Sequence, residues 1–307
     1  MYDLLIVGGG PAGCAAGVYA ARKLLKTALV TDTFGGQSVV SADIENWIGT
    51  PHISGEKLAK DLEAHVREYA GTVVDIVTGK RVEKIECKDG GYSVNLSDGT
   101  VLQTKTVLIA SGGARRQLKV PGSDLFEHKG LTYCASCDGP VFSGQDVAVI
   151  GGGNAGFETA AQLLAYCKSV TLLQHKETYA ADPSTVEKVL AHPNMRGITG
   201  AETLEVVGEK FVSGLKYKDT KTGMEHVLPV TGIFVEIGLV PATQYAEGLV
   251  DMDQFKRVIV DPKTQRTSMT GVWAAGDCTN GVYHQNNIAA GDAVRALEDI
   301  YVHLKAK

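Results

Sequence analysis

The segment LLIVGGGPAG, residues 4–13, decides the fold of this 307-residue chain. Its apolar run ends in glycines spaced Gly-x-Gly-x-x-Gly, and an alanine-rich stretch follows. This order predicts a buried strand, a tight turn and a helix, with Gly8, Gly10 and Gly13 where the backbone must approach a ligand or pack closely. Asp32 lies 19 residues beyond Gly13, the distance at which an acid hydrogen-bonds the ribose of a dinucleotide.

The same pattern recurs in the middle of the chain as GGGNAG, residues 151–156. The strand before it, the helix after it and the next strand are predicted at Asp146–Ile150, Phe157–Cys167 and Ser169–Gln174. Two such units predict parallel sheets and two nucleotide sites that face each other, as when a nicotinamide must reduce a flavin.

Between the two glycine-rich turns lies YCASCDGP, residues 133–140. Cys134 and Cys137 are two residues apart, and Asp138 follows directly. Such a pair is typical of redox or metal sites. Zinc needs four ligands, yet no second Cys-x-x-Cys exists and His128 is the only histidine nearby. We therefore interpret the pair as passing electrons between a bound flavin and a protein disulfide.

Composition excludes several classes of protein. With 44% hydrophobic and 21% charged residues and a net charge of −5, the chain has no general basic footprint for nucleic acid. No apolar run approaches the roughly 20 residues that span a bilayer, and no signal peptide precedes the strand at Tyr2, so we expect a cytoplasmic protein. Six cysteines are too sparse for a secreted disulfide scaffold, and Cys167 and Cys278 are interpreted as structural.

The remaining pattern is a series of short strands and a few helices. Strands are predicted at Val73–Val77, Arg81–Cys87, Tyr92–Leu96, Thr106–Ala110, 203–207, 214–218, 227–229, Gly232–Ile237, Val258–Val260 and Val272–Ala275. Helices are predicted after a Ser54 cap, at 182–191 and at Asn287–Leu304. The fold class is α/β.

Several motifs, in this order, resemble those of low-molecular-weight thioredoxin reductases: Phe34–Gln37, Asp43–Trp47, Cys134–Gly139, Gly151–Gly156 and Ala274–Asp277 with Gln285. They resemble even more closely the reductase portion of the alkyl hydroperoxide reductase flavoprotein subunit. The resemblance covers essentially the whole chain. It implies two Rossmann-like, three-layer domains: an FAD domain, 1–113 and 246–307, and an inserted NAD(P)H domain, 114–245, that carries the cysteine pair. It also implies a homodimer, and a swivel of the inserted domain that presents either nicotinamide or the cysteines to the flavin.

The resemblance also assigns binding residues. It places FAD on Gly8, Gly10, Pro11, Ala12, Gly13, Asp32, Gly36, Gln37, Asn46, Gly112, Asp277 and Gln285. It places NAD(P)H on Gly151, Gly153, Asn154, Ala155, Gly156, Gln174, His175, Lys176 and Gly238. No metal site is predicted.

Three departures from the family pattern affect these expectations. NADPH-using relatives carry His-Arg-Arg and a later arginine, where this chain has Gln-His-Lys at 174–176 and Ala180. Because a 2′-phosphate is best bound by arginine, NADH is favoured over NADPH. The acid that is typical of NADH users is, however, absent at Gln174. No thioredoxin-like domain precedes Met1, so the carrier is expected to be a separate protein. His284 and Asn286, beside Gln285, differ from many relatives in a way that the sequence does not explain.

By resemblance, Cys137 is the flavin-side sulfur and Cys134 attacks the partner's disulfide. Asp138, directly after the pair, is placed to protonate the leaving thiolate or to relay a proton to the flavin. The predicted activity is electron transfer from NAD(P)H through FAD to a thioredoxin- or glutaredoxin-like carrier, with a role in redox homeostasis. Two alternatives stay open: a dithiol oxidase that uses oxygen and not the second nucleotide site, and a flavin-binding redox sensor without turnover. A ferredoxin–NADP reductase is disfavoured because such relatives lack the cysteine pair.

Overall fold

The computed structural model describes residues 1–41 and 43–305. Its contacts divide the chain into two compact units, Met1–Ala114 with Val240–Lys307, and Arg115–Leu239. The sequence placed the boundary at which the chain re-enters the first unit between residues 245 and 246, six residues later than the structure has it. The structural boundary is earlier because Ala246 is fully buried in the first unit, where Thr243 Oγ1 donates a hydrogen bond to the Lys256 carbonyl at 2.7 Å.

The elements of the first half of the chain are β1 Tyr2–Gly9, α1 Pro11–Arg22, β2 Thr27–Phe34, α2 Gly55–Arg67, β3 Val74–Thr78, β4 Val82–Lys88, β5 Gly91–Leu96, β6 Val101–Ile109, β7 Gly113–Arg115, α3 Ser123–Phe126, β8 Leu131–Thr132, α4 Ala135–Asp138 and β9 Asp146–Ile150. The second half has α5 Asn154–Leu163, β10 Ser169–Gln174, α6 Pro183–Leu190, β11 Met195–Thr199, β12 Ala201–Gly208, β13 Val212–Asp219, β14 Glu225–Leu228, β15 Gly232–Val235, β16 Leu239–Pro241, β17 Val272–Ala274 and α7 Asn286–Lys305. Short 3₁₀ helices cover Gly36–Val40, Gly139–Phe142 and Gln244–Ala246.

The first unit is built on a seven-stranded sheet in the order β3-β2-β1-β6-β5-β4, with β17 also paired to β6. The strands β3, β2, β1, β6 and β17 run parallel, and the β4–β5 hairpin joins them antiparallel. Alternate residues of β1 enter two cores: Leu4 and Ile6 pack with α1 and α7, whereas Leu5 and Val7 pack with residues of the hairpin. A central strand buried on both faces explains its continuous apolar sequence.

The second unit is a three-layer arrangement of its own. Its five-stranded parallel sheet has the order β11-β10-β9-β15-β8. Helices α5 and α6 cover one face, where Phe157 is fully buried, and the antiparallel sheet β12-β13-β14 covers the other. In each unit the strand before the glycine-rich turn, β1 or β9, has the next strand of the chain on one side and a much later strand, β6 or β15, on the other. Such a change of direction opens a crevice at the carboxyl ends of the strands.

The predicted α/β class is confirmed, and so are several local details. The Ser54 hydroxyl caps α2 by accepting a hydrogen bond from the Lys57 amide at 3.3 Å, and β10 has the predicted bounds. The strand predicted at Val258–Val260 is wrong: Val258 makes only isolated bridges, because its partners Met252 and Thr279 belong to loops.

The helix predicted at Phe157–Cys167 also needs correction, because it runs from Asn154 to Leu163. Across the described ranges, no helix combines the length and the apolar character needed to cross a bilayer.

Candidate active site

The cysteine pair lies in the second unit, directly after β8. Cys134 and Cys137 are joined by a disulfide bond, and their Cα atoms are 5.3 Å apart. Cys137 and Asp138 lie on the short helix α4, and the residues of the pair are half-buried. A bond of this kind accepts two electrons to become a dithiol and re-forms by thiol–disulfide exchange.

Asp138 is held by a residue that the sequence analysis did not single out. Thr132 Oγ1 donates a hydrogen bond to Asp138 Oδ2. Thr132 Oγ1 also accepts a hydrogen bond from the Cys134 amide at 3.3 Å. Thr132 is only 5% exposed, at the end of β8. A hydroxyl two residues before Cys134 is the only signal in the sequence, and such a residue is too common to be distinctive.

Gly139 follows the acid and packs closely against α5 and the residues after it. A Cβ atom at Gly139 would lie 2.1 Å from Tyr166 Oη and 3.2 Å from Leu163 Cδ2. The Tyr166 oxygen is itself buried, so it has little room to move away. The turn after Asp138 therefore requires a residue without a side chain for steric reasons.

We expect Gly139→Ala to lower the free energy of unfolding by about 1–3 kcal/mol, because the methyl group overpacks this contact. Denaturant unfolding followed by circular dichroism measures the change. Adding Tyr166→Phe removes the nearest clashing atom and should recover part of the loss. A Gly139→Ala protein as stable as the unmodified one would contradict the packing described here.

Three of the free cysteines are buried thiols. Burial raises the pKa of Cys14 and Cys278 to about 12 and that of Cys167 to about 11. A thiol with so high a pKa has almost no thiolate at neutral pH and is unreactive. Cys167 and Cys278 lie in hydrophobic cores, as expected for structural residues, whereas Cys87 is exposed.

The first glycine-rich turn forms a cradle of bare backbone in the first unit. Gly8 has φ +117°, and a Cβ there would lie 2.3 Å from the Ala110 carbonyl oxygen. A Cβ at Gly13 would lie 1.8 Å from the Gly8 oxygen. No side chain caps α1, so its first N–H groups stay available. A cradle of this kind at a helix N-terminus fits the pyrophosphate of a dinucleotide.

Asp32 keeps one oxygen available for a ribose. Arg81 donates from Nε at 2.9 Å and from Nη2 at 2.6 Å, and both bonds reach Asp32 Oδ2. The second oxygen, Oδ1, has no hydrogen-bond partner in the part of the chain that the structure describes. Arg81 is a further residue that the sequence analysis missed, since the two residues are 49 positions apart.

Amide side chains connect the two ends of the first unit. Asn46 Nδ2 donates to Gln285 Oε1 at 3.1 Å, and Asn287 Nδ2 donates to the Asn46 carbonyl at 2.7 Å. Ser38 Oγ donates to Asn286 Oδ1 at 2.7 Å. The structure thus brings the predicted Asn46 and Gln285 together, and it gives Asn286 a role in holding the 3₁₀ helix that begins at Gly36.

The remaining residues predicted to bind FAD lie on the same unit. Pro11 and Ala12 begin α1, Gly36 and Gln37 begin a 3₁₀ helix, Gly112 follows β6, and Asp277 follows β17. Gly10 and Gly36 approach each other, since a Cβ on Gly10 would lie 3.9 Å from Gly36 Cα.

The second glycine-rich turn repeats the geometry of the first. Gly151 has φ +123°, and a Cβ there would lie 2.2 Å from the Glu236 carbonyl oxygen; a Cβ at Gly156 would lie 1.8 Å from the Gly151 oxygen. Gly153 has open space around it. Asn154 Oδ1 accepts a hydrogen bond from the Asp182 amide at 2.8 Å, which connects α5 to the start of α6. Ala155 is exposed on the first turn of α5.

The segment after β10 determines how the adenosine end of a nucleotide can be bound. Gln174 Oε1 accepts from the Gly152 amide at 3.2 Å, and Gln174 Nε2 donates to the Thr178 carbonyl at 3.0 Å. His175 and Lys176 are exposed, and Lys176 makes no ion pair with the described residues. Both polar atoms of the Gln174 side chain are therefore hydrogen-bonded within the turn. In the Gln174–Lys176 segment, only Lys176 carries a permanent positive charge.

Gly238 and Glu236 follow β15 at the same edge of the sheet. Gly238 has φ +112°, and its carbonyl accepts from the Arg116 amide at 2.9 Å. Glu236 Oε1 accepts from Thr159 Oγ1 at 2.9 Å and from Arg115 Nη1 at 3.4 Å. Burial raises the pKa of Glu236, and Arg115 and Thr159 oppose that shift. An acid directly after an apolar strand was a signal for Glu236 that the sequence analysis did not use.

One group of potential metal ligands occurs within residues 1–41 and 43–305: the exposed side chains of Asp43, Glu45 and His52. It does not include the cysteines, whose sulfur atoms are bonded to each other. Exposed acidic groups of this kind are common on protein surfaces, and we assign no metal to them.

The geometry agrees with the comparisons to known proteins. The family model described as pyridine nucleotide-disulphide oxidoreductase matches residues 2–293. The chain belongs to the pyridine nucleotide-disulphide oxidoreductase family. It is 42% identical to the NADH dehydrogenase of Bacillus subtilis strain 168 over 303 residues, and 42% identical to the alkyl hydroperoxide reductase F protein of Escherichia coli strain K12 over 304 residues. Each alignment covers 99% of this chain and 58% of the relative.

A solved structure extends the likeness of this oxidoreductase to the fold. Thioredoxin reductase from Streptococcus pyogenes MGAS5005 aligns with a TM-score of 0.90 at 33% identity, over 100% of this chain and 99% of that one. The resemblance predicted from the motifs is confirmed, and the chain is a thioredoxin-reductase-like flavoprotein. It spans a little over half the length of the curated relatives it matches.

Proposed function

We propose that this oxidoreductase transfers electrons from NADH, through FAD and the Cys134–Cys137 disulfide, to the disulfide of a thioredoxin- or glutaredoxin-like carrier protein. The observation that carries the proposal is a Cys-x-x-Cys disulfide followed by a carboxylate, in the same unit as the second nucleotide turn. The names of the similar proteins, a component of alkyl hydroperoxide reductase and a thioredoxin reductase, support a disulfide reductase.

In this proposal the first unit holds FAD, which when bound supplies a two-electron relay between nicotinamide and disulfide. The backbone cradle at Gly8 and Gly13 and the N-terminus of α1 bind its pyrophosphate. Asp32 Oδ1 accepts a hydrogen bond from a ribose hydroxyl. Gln285, hydrogen-bonded to Asn46, would contact the flavin near its ring, as the resemblance implies.

The chemistry at the cysteines is a two-electron reduction followed by disulfide exchange. An electron pair enters at Cys137, the Cys134–Cys137 bond breaks, and Asp138 gives a proton to the Cys134 thiolate. Cys134, again as a thiolate, then attacks the carrier disulfide, and Cys137 resolves the mixed disulfide and restores the original bond. In sum, one NADH and one proton convert one carrier disulfide into a dithiol.

NADH is expected to bleach the flavin at least about 10-fold faster than NADPH at equal, limiting concentration, a difference of about 1.4 kcal/mol. The reason is that Gln174 is tied to the turn and only Lys176 remains near a 2′-phosphate, without the fork of an arginine. Anaerobic stopped-flow mixing measures both rates. His175→Arg with Lys176→Arg should narrow the difference by speeding NADPH alone, and faster bleaching by NADPH in the unmodified protein would contradict the assignment.

The same experiment tests the function itself. Bleaching by neither nucleotide, together with oxygen consumption driven by a small dithiol, would replace the proposal with the flavin-dependent dithiol oxidase. The absence of turnover with every donor and carrier would replace it with the redox sensor.

The proposal includes assembly and location. The resemblance implies a homodimer, and closed twofold dimers are the commonest oligomers. The expected location is the cytoplasm. Light scattering coupled to size-exclusion chromatography gives the mass directly, and a monomer at micromolar concentration would contradict this part.

A further inference from the structure

We propose that Thr132 positions Asp138 for proton transfer to the cysteine pair, an inference that rests on the proposed function. Thr132 Oγ1 donates to Asp138 Oδ2 and accepts from the Cys134 amide at 3.3 Å. One hydroxyl group thus connects the proposed acid to the backbone of the cysteine whose thiolate that acid protonates.

The Thr132 hydroxyl takes part in both bonds. Its oxygen accepts from the Cys134 amide, which can only donate, and its single proton is donated to Asp138 Oδ2. In this arrangement a proton on the carboxyl group is carried by Oδ1, which has no hydrogen-bond partner among the described residues.

The position of Thr132 is set by the fold and not by the loop. Thr132 lies on β8 opposite Phe234 of the parallel strand β15, and it is buried. Its β-branched side chain has few accessible rotamers. The hydroxyl is therefore oriented before the reaction begins, and the carboxylate left after proton transfer keeps a donor that stabilises its charge.

The resulting step is balanced. The electron pair that NADH supplies in the proposed function enters at Cys137, the Cys134–Cys137 bond breaks, and the Cys134 thiolate takes the proton from Asp138 Oδ1. Asp138 becomes a carboxylate that accepts from Thr132, and solvent returns the proton before the next cycle.

A purely structural role for Thr132 makes a different prediction. Its bond to the Cys134 amide also closes a local side-chain turn, which by itself would affect stability only. A positioning role slows electron entry into the disulfide and changes how that rate depends on pH, because proton transfer is then part of the step.

The test uses the purified holoprotein mixed anaerobically with one equivalent of NADH. The flavin bleaches and then recovers its colour as the disulfide accepts the electron pair; alkylation counts the new thiols. In Thr132→Val, bleaching should stay within about twofold, while recovery slows about 10–100-fold and its pH profile shifts toward that of Asp138→Asn. Thr132→Ser keeps the hydroxyl and should restore most of the rate.

Two further variants make the result specific. Adding Thr132→Val to Asp138→Asn should slow the recovery of flavin colour by no more than about a further twofold, because both changes remove the same proton transfer. Thr171→Val replaces another buried threonine of the same unit, on β10, and should leave both phases unchanged.

A recovery rate and pH profile in Thr132→Val that equal those of the unmodified protein would overturn the inference. A recovery rate in the double variant that falls by the product of the two single-variant losses would overturn it too. If Thr132→Val does not fold, Thr132→Ala is measured, and failure of both to fold indicates a structural threonine and overturns it as well. If the unmodified protein is not bleached by NADH, only the donor step of the proposed function fails, and photochemical reduction of the flavin starts the same recovery phase. Bleaching without recovery in the unmodified protein refutes the disulfide relay, and this inference with it.

Discussion

Replacing either cysteine of the pair by serine is expected to lower carrier reduction by about 10⁴-fold or more, because neither sulfur can complete the exchange alone. Flavin bleaching by NADH should continue, since the nucleotide turn at Gly151 is untouched. The measurement is steady-state reduction of an oxidised thioredoxin, combined with stopped-flow bleaching of the same preparations.

The two cysteine variants should also differ from each other. Cys137→Ser keeps the attacking Cys134 but lacks the resolving sulfur, so it should accumulate a mixed disulfide with the carrier, visible by non-reducing electrophoresis. Cys134→Ser should accumulate none. Cys87→Ser changes an exposed cysteine outside the pair and should behave like the unmodified protein. Carrier reduction above one-tenth of the original rate in both variants of the pair would refute the relay.

The second large effect is expected from a matched pair of glycines, Gly8 and Gly151. In each, a Cβ would lie within 2.3 Å of a carbonyl oxygen, and φ is +117° or +123°. The strained backbone alone costs about 1–3 kcal/mol. A loss of about 3 kcal/mol weakens binding about 100-fold. Gly8→Ala should therefore lose its flavin, whereas Gly151→Ala should stay yellow but resist bleaching by NADH.

Open-space glycines provide the control for backbone strain. Gly99 and Gly223 have φ +83° and +74°, and a Cβ at either would have nothing within 4 Å. Alanine at either should lower the free energy of unfolding by about 1–2 kcal/mol and leave both cofactors bound. Bound flavin is measured by absorbance after release, and nucleotide binding by calorimetry. Flavin loss in Gly151→Ala with retention in Gly8→Ala would reverse the assignment of the two sites.

Local signals account for what could be predicted of the fold. The glycine spacing at 8–13 and 151–156 depends on steric limits within one turn, so the sequence reveals it without knowledge of the partners. The Ser54 cap likewise depends on a residue three positions away, and the apolar run of β10 is visible in the chain. Val258–Val260 has strand-like composition, but a strand also needs a partner, and only loops lie beside it.

Contacts between distant residues account for what could not be predicted of the candidate site. Arg81 pairs with Asp32 across 49 positions, and Asn46 reaches Gln285 across 239. Neither contact leaves a periodic or spacing signal in the chain. Their residues were visible in the sequence, but their pairing was not.

By itself the sequence determined that this chain has two nucleotide turns, a close cysteine pair and an adjacent acid, because covalent proximity and backbone sterics fix those relations. Only the tertiary structure decided which groups hold them. It pairs the Thr132 hydroxyl with Asp138, ties Gln174 to the second turn and places the half-buried Glu236 beside Arg115. Hydrogen bonding and desolvation depend on what surrounds a group in space, and that information is distributed over the whole folded chain.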